Sequence, residues 1–240
     1  MKMILIPIAA LLILTACGGG ENQRVEKEKD AKALTKEEQA RLTPAGVIEI
    51  LKNGNQVFEN NRLTVRNSTE LVRDAAKGQY PMAVILSCLD SRVPVEDVFH
   101  CAIGDIFVAR VAGNIVNVDI LGSMEFACAA SGAKLVMVLG HGSCGAVKSA
   151  IDDVQLGNIT EMLSKIKPAV SECKAHFDGE TTTANSKFVE TVGHANVALA
   201  VAEIRLKSPI LKEMEEKGQI KIIGAYYDLY SGKVDFFENM

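Results

Sequence analysis

Residues 82–92 read MAVILSCLDSR, and this stretch is the most informative part of the chain about its fold. The run Met82–Leu86 is too short for a helix and is apolar on both faces, which is typical of a strand buried on both sides of a parallel sheet. Similar apolar runs occur at 106–111, 135–139 and 220–227. These four runs predict four buried strands.

Helical stretches separate the predicted strands. Thr43 offers a capping hydroxyl and Pro44 a favourable first helical residue, so a helix is predicted from there toward Asn60. A turn at Ser231-Gly232 leads into an antiparallel edge strand at 234–237. The other predicted helices cover about 118–130, about 184–207, and 209–217. This alternation predicts a single α/β domain: an open, mostly parallel sheet of about four strands plus an edge strand, with helices on both faces.

Composition excludes several classes of protein. The 26 basic and 30 acidic residues give a net charge of −4, which provides no electrostatic case for nucleic acid binding. Hydrophobic residues at 48% and charged residues at 23% are close to globular averages, so wholesale disorder and collagen-like fibres are excluded.

The N-terminus has the pattern of an export signal. Lys2 precedes an apolar run at 4–16, which is shorter than the roughly 20 residues that a spanning helix needs. The sequence Leu14-Thr15-Ala16-Cys17 resembles the lipobox of bacterial lipoproteins, in which the cysteine receives lipid. This predicts a signal peptide at 1–16, a lipid-anchored polar tether at 17–42 and a folded domain at 43–240, held at the cell envelope and facing the periplasm. An ordinary secretory signal with Cys17 incidental remains the alternative.

Export makes disulfides an expectation for the remaining cysteines. Cys128 lies in an apolar stretch and is interpreted as a small buried thiol. A Cys101–Cys173 bridge is left open by the sequence. Cys88 and Cys144 are expected to bind a metal ion instead of forming disulfides.

Three metal-binding side chains follow the ends of predicted parallel strands. Cys88 follows the first strand, and His141 and Cys144 follow the third. Side chains beyond the carboxyl ends of parallel strands meet at one edge of the sheet. Two thiolates and an imidazole suit Zn²⁺, and three protein ligands with one exchangeable position are typical of a catalytic zinc.

The pattern Cys-x-Asp-Ser-Arg at 88–92, followed by His-x-x-Cys-Gly at 141–145, resembles the β-class carbonic anhydrases. The likeness covers most of the chain beyond the tether and includes the segments LKNGNQVF at 51–58, RVAGN at 110–114, GAYYD at 224–228 and GKV at 232–234. It implies a catalytic domain at 43–240 that hydrates CO2 reversibly to bicarbonate and a proton with one Zn²⁺ per subunit. It also implies a homodimer or a dimer of dimers, with the site built at the subunit boundary.

The resemblance gives Asp90 two possible roles. Its carboxylate either occupies the fourth zinc position or accepts a hydrogen bond from water there. Arg92 selects between them, because a guanidinium grips a carboxylate through two parallel hydrogen bonds and so keeps it off the metal.

The resemblance also assigns four substrate-binding positions. Gln79 matches a glutamine that contacts substrate, and Phe107 and Phe126 match apolar walls for CO2 that usually come from two subunits. Gly113 brings backbone groups near the pocket. Phe107 and Phe126 are also consistent with ordinary core aromatics, and Gly113 with a turn. The absence of Trp and the presence of Gln79 favour an open resting zinc, even though Arg110 matches an arginine of the closed branch.

Two other functions compete with CO2 hydration. Some proteins of this type hydrolyse carbon disulfide or carbonyl sulfide with the same zinc ligands. A lipid-anchored zinc protein without catalytic activity is the second alternative, although a structural zinc has no use for Asp90 and Arg92.

Overall fold

The computed structural model describes residues 34–62 and 68–239, in which a five-stranded sheet forms the core. The sheet order is β2-β1-β3-β4-β5; β1 to β4 are mutually parallel and β5 pairs antiparallel with β4. The open, mostly parallel sheet with an antiparallel edge strand is therefore confirmed. The strands are β1 (Ala83–Ser87), β2 (Ile106–Arg110), β3 (Leu135–His141), β4 (Lys221–Tyr227) and β5 (Val234–Phe237).

Helices cover both faces of this sheet. They are α1 (Lys36–Arg41), α2 (Pro44–Glu59), α3 (Ser68–Ala75), α4 (Val95–Val98), α5 (Val118–Glu125), α6 (Gly145–Ile151), α7 (Gly157–Ser164), α8 (Lys167–His176), α9 (Ser186–Lys207) and α10 (Pro209–Glu216), with a 3-10 turn at Ala112–Asn114 and a π turn at Phe126–Ala130.

Alternate residues of the central strands enter two separate apolar layers. Ile85 and Met137 pack with residues of α2 and α4 on one face. Val84 and Val136 pack with residues of α5, α9 and α10 on the other. Because both layers exclude water, every position of β1 and β3 is buried, and this explains why the strands read as unbroken apolar runs.

Helix α2 begins where the sequence predicts. The Thr43 hydroxyl accepts a hydrogen bond from the amide of Gly46, and Pro44 occupies the first helical position. Val47, Ile48 and Leu51 form its buried stripe.

The predicted boundary of the tether at residue 42 differs from the structure, because α1 lies inside the predicted tether. Thr35 and Glu38 form a reciprocal capping box at its start. The Gln39 side chain is buried and donates hydrogen bonds to the carbonyls of Pro81 (2.7 Å) and Ser131 (2.8 Å). These bonds satisfy backbone groups of the domain, so residues from about 35 onward belong to it.

The predicted signal peptide and Cys17 lie outside the described residues. Within the ranges 34–62 and 68–239, none of the helices has the length and apolar content needed to cross a bilayer.

The predicted helix at 118–130 changes geometry part-way. Helix α5 ends at Glu125, and a π turn follows in which the amide of Ser131 bonds to the carbonyl of Phe126 at 3.0 Å. This turn directs Cys128 into the core, as predicted, and leaves Phe126 58% exposed.

The five cysteines of the described residues are free thiols. Cys101 belongs to the apolar layer under α2 and α4, whereas Cys173 belongs to a cluster around α6, α8 and α9. The Cys101–Cys173 bridge that the sequence left open is therefore not formed.

Candidate metal centre

The structure brings Cys88, His141 and Cys144 together at the carboxyl edge of the sheet. Cys88 follows β1, His141 ends β3, and Cys144 is the N-cap residue of α6. All three are buried, and their ligand atoms lie within 4.8 Å of one another. The two sulfurs are 3.9 Å apart, close to the separation of about 3.8 Å that two Zn–S bonds of about 2.3 Å give at a tetrahedral angle.

The His141 ring is oriented for a metal. Its Nδ1 lies 2.9 Å from the carbonyl oxygen of Gly142, which can only accept a hydrogen bond, so Nδ1 is the donor there and Nε2 is the ring nitrogen available to a metal. Within the described part of the chain, this Nε2 is buried without a hydrogen-bond partner. A buried polar nitrogen without a partner is costly, and a cation beside the two sulfurs would satisfy it.

Local sequence explains how the loop after β3 reaches this geometry. Gly140 allows close packing, because a Cβ there would lie 2.5 Å from Val197 Cγ2 and 3.0 Å from the Tyr226 ring. Ser143 adopts a positive φ of 52°, which turns the chain between His141 and Cys144. Cys144 then opens α6, where free backbone amides favour negative charge.

The Cys88 and Cys144 side chains are within hydrogen-bond distance of each other. The hydrogen bond from Cys144 lowers the pKa of Cys88 to about 4, with further lowering by His141 and the amides of Gly113 and Asp90. The same contact, together with burial, raises the pKa of Cys144. A divalent cation bound between the two sulfurs would favour the thiolate form of both cysteines.

Asp90 and Arg92 form a two-pronged ion pair beside the cluster. Arg92 Nε donates to Oδ1 at 2.9 Å and Nη2 donates to Oδ2 at 2.7 Å. These bonds hold the pKa of the Asp90 carboxyl well below its usual range. Asp90 Oδ2 lies 3.9 Å from His141 Nε2. The structure therefore places Asp90 next to the three ligand atoms while both of its oxygens face Arg92.

Arg110 supports the loop that carries these groups. Its Nε donates to the carbonyl of Cys88 at 2.9 Å and its Nη2 to the carbonyl of Asp90 at 2.5 Å. Arg110 ends β2, directly opposite Ser87 in the β1–β2 register. The sequence analysis assigned Arg110 no positioning role. Its position at the end of the strand next to the one that precedes Cys88 would have allowed that prediction.

Gly113 contacts a ligand atom through its backbone. Its amide donates to Cys88 Sγ at 3.3 Å. Gly113 has a φ of 73°, and a Cβ at this position would lie 2.6 Å from Ile166 Cδ1. Only glycine fits this turn without displacing its neighbours.

A family model described as carbonic anhydrase matches residues 83–234, which is more than half of the chain. The chain belongs to the carbonic anhydrase family. Carbonic anhydrase 2 of Mycobacterium tuberculosis is 34% identical over 196 residues, covering 79% of this chain and 91% of that protein. A carbonic anhydrase of Mycolicibacterium smegmatis is 31% identical over 198 residues, covering 80% and 92%.

Solved β-class carbonic anhydrases share the fold. The enzyme of Coccomyxa, solved with acetazolamide, superposes with a TM-score of 0.61 at 25% identity and covers 75% of this chain and 84% of its own. A tetrameric enzyme of Sordaria macrospora gives a TM-score of 0.62 at 21% identity and covers 79% and 96%. β-class carbonic anhydrases are zinc enzymes, and the Cys88, His141 and Cys144 set fits that ion.

Three of the four predicted substrate-binding positions, Gln79, Phe107 and Phe126, lie away from this cluster. Phe107 and Phe126 line one groove of about 630 Å³ along β2, together with Val118, Ala109 and Gly122. This groove is separate from the cysteine cluster, as its lining contains none of the three ligands.

Gln79 does not reach the metal centre of its own subunit. It is exposed and precedes β1, whereas Cys88 follows the opposite end of that five-residue strand. At about 3.3 Å per residue, the strand alone separates them by roughly 15 Å. A substrate role for Gln79 therefore requires a second subunit.

Proposed function

We propose that this chain catalyses the reversible hydration of CO2 to bicarbonate and a proton, with zinc held by Cys88, His141 and Cys144. The observation that carries the proposal is the buried, unpartnered Nε2 of His141 beside two sulfurs 3.9 Å apart, with an ionised carboxylate adjacent. Zinc in such a site supplies Lewis acidity that makes water a nucleophile near neutral pH, and carbonic anhydrase is the standard example of this chemistry.

The chain's own residues orient the reacting water. The Asp90 carboxylate, kept ionised by Arg92, accepts a hydrogen bond from that water and turns an oxygen lone pair toward CO2. While Arg92 holds both oxygens of Asp90, the carboxylate is unavailable as a fourth ligand. These contacts support an open metal position as the resting state.

Substrate choice is tested by two assays on the same preparation. Stopped-flow CO2 hydration and sulfide release from carbonyl sulfide or carbon disulfide are measured side by side. We expect hydration to dominate. Sulfide release without CO2 hydration would favour the hydrolase alternative, and zinc content with neither activity would favour a binding protein.

The pH dependence of catalysis follows from the charge of the ligands. Two thiolates cancel the charge of the zinc ion and make it a weaker Lewis acid than one bound by three neutral histidines. We expect the acid limb of the kcat/KM profile to lie at higher pH than that of a three-histidine carbonic anhydrase in the same buffers. Asp90 does not set this limb, because its ion pair with Arg92 holds the pKa of the Asp90 carboxyl well below the usual range of an aspartate. A midpoint well on the acid side of neutrality would contradict the expectation.

We also propose that the active unit is a homodimer or a dimer of dimers, joined along β2. Within the described residues, the outer edge of β2 has no neighbouring strand. A strand edge of this kind presents backbone N–H and C=O groups that can pair with a strand of another chain. Val118 and Phe126, which line the groove beside it, are 79% and 58% exposed. Such a contact places Phe107 and Phe126 at the boundary and allows Gln79 to serve the neighbouring centre.

A charge in the groove tests this dimer. We expect Val118→Glu to shift the protein toward monomer in light scattering after gel filtration, and to lower CO2 hydration in parallel. The matched control is Leu206→Glu, at an equally exposed apolar position on α9 (80% exposed). We expect this variant to keep the oligomeric mass of the wild-type protein. Monomeric, fully active wild-type protein would contradict the proposal.

We further propose that lipid on Cys17 tethers the enzyme to a membrane on the periplasmic side of the cell envelope. The support is the short apolar run at 4–16 and the sequence Leu14-Thr15-Ala16-Cys17. We expect wild-type protein to enter the detergent phase of a phase-separation assay and Cys17→Ser to leave it. Equal partitioning of the two forms into the aqueous phase would support an ordinary secretory signal instead.

A further inference from the structure

A buried asparagine on α9 connects that helix to a metal ligand. Asn196 is 2% exposed, and its Nδ2 donates to the carbonyl of Gly113 at 2.8 Å, across 83 residues of sequence. The amide of the same Gly113 donates to Cys88 Sγ at 3.3 Å. Two hydrogen bonds in series therefore run from Asn196 to the sulfur of Cys88.

The neighbours of Asn196 make its polarity unusual. The buried face of α9 is otherwise almost entirely apolar and includes Val189, Val192, Val197 and Ala200. Placing a carboxamide in such a layer costs free energy unless its hydrogen bonds are made. Its Nδ2 makes such a hydrogen bond to the carbonyl of Gly113. An apolar residue at this position would leave the carbonyl of the buried Gly113 without this donor, so the Asn196 amide serves the turn that contacts Cys88.

The turn that Asn196 holds has little room to move. A Cβ on Gly113 would lie 2.6 Å from Ile166 Cδ1 and 3.2 Å from Ala146 Cβ. Ala146 belongs to α6, whose N-cap is Cys144. Asn196 therefore anchors Gly113 at its carbonyl, within a turn packed directly against the ligand-bearing helix.

We propose that Asn196 is a positioning residue that tunes the metal centre by fixing the N–H···S bond from Gly113 to Cys88. A hydrogen bond to a thiolate withdraws electron density from sulfur and reduces its donation to a bound metal. The metal then retains more positive charge, which partly offsets the effect of two anionic ligands. This inference rests on the proposed zinc centre, and it concerns how strongly that centre polarises water.

Cobalt substitution tests the proposal without turnover. We expect the thiolate-to-cobalt charge-transfer band of Asn196→Leu to move to longer wavelength, because Cys88 Sγ becomes a stronger donor. We also expect kcat/KM for CO2 hydration to fall roughly 10-fold, in the range typical for loss of a partner that orients a metal ligand. Asn196→Ala, which removes the donor without adding bulk, is the second variant in case the leucine disturbs folding.

The matched control is Asn55→Ala. Asn55 is another buried helical asparagine, 4% exposed, which donates to the carbonyls of Val98 and Gly232 on the opposite face of the sheet. We expect Asn55→Ala to lower the free energy of unfolding and to leave the thiolate-to-cobalt band at its wild-type wavelength. An unmoved band in both Asn196 variants, or an equal shift in Asn55→Ala, would overturn the proposal. A band shift in a protein that does not hydrate CO2 would support the tuning role and reject the proposed function.

Discussion

Replacing Cys144 with serine is expected to abolish stoichiometric zinc binding and to lower kcat/KM for CO2 hydration by more than about 100-fold. The serine hydroxyl stays protonated at neutral pH, so the centre loses one of its two anionic soft ligands. The loss should exceed the roughly 10–100-fold effect typical of residues that only support a ligand. Zinc per chain by plasma mass spectrometry and stopped-flow hydration on the same sample measure both quantities.

Cys173→Ser is the matched control for this experiment. Cys173 is also a buried free thiol and packs in the same apolar cluster as Cys88 and Cys144, but it lies on α8 outside the ligand set. We expect this variant to keep one zinc per chain and wild-type turnover. Full zinc content and activity in Cys144→Ser would show that the ion is bound elsewhere.

Arg92→Lys is expected to lower kcat/KM roughly 10–100-fold while leaving the zinc content unchanged. The guanidinium holds both oxygens of Asp90, at 2.9 and 2.7 Å. A lysine ammonium is a point donor that cannot reproduce this fork, so Asp90 gains freedom to turn toward the metal and displace water. Hydration kinetics and zinc content of the purified variant provide the measurement.

The control for Arg92→Lys is the same substitution in a similar ion pair away from the centre. Arg205 donates from Nε and Nη2 to the two oxygens of Glu215, at 2.7 and 2.9 Å. We expect Arg205→Lys to affect stability and to leave turnover unchanged when assayed well below its unfolding temperature. Near-wild-type turnover in Arg92→Lys would contradict the proposal that the Arg92 guanidinium orients Asp90.

The sheet and the metal ligands were predictable because both depend on short-range signals. Strands covered on both faces must be apolar at every position, so β1 and β3 stand out from their surroundings. Ligands that directly follow such strands meet at one edge whatever the intervening helices do. Cys88, His141 and Cys144 could therefore be grouped without knowledge of the loops.

Other features depend on contacts that the sequence does not display. Helix α1 was missed because its sequence, KEEQAR, looks like a charged tether, although Thr35 and Glu38 carry a capping-box signal. The role of Arg110 depends on the direction of a long side chain at a strand end. The bond from Asn196 joins residues 83 positions apart. Gln79 matches a substrate contact in the family pattern, yet the fold places it far from the centre of its own chain.

Removal and return of zinc test the central claim most directly. The purified enzyme is assayed by stopped-flow CO2 hydration as isolated, after exhaustive treatment with a chelator, and after addition of one equivalent of Zn²⁺. We predict about one zinc per chain as isolated, loss of hydration together with the metal, and recovery at one equivalent. Purified, folded protein that holds no zinc, or hydration that persists unchanged after the metal has been removed, would contradict a catalytic centre built on Cys88, His141 and Cys144.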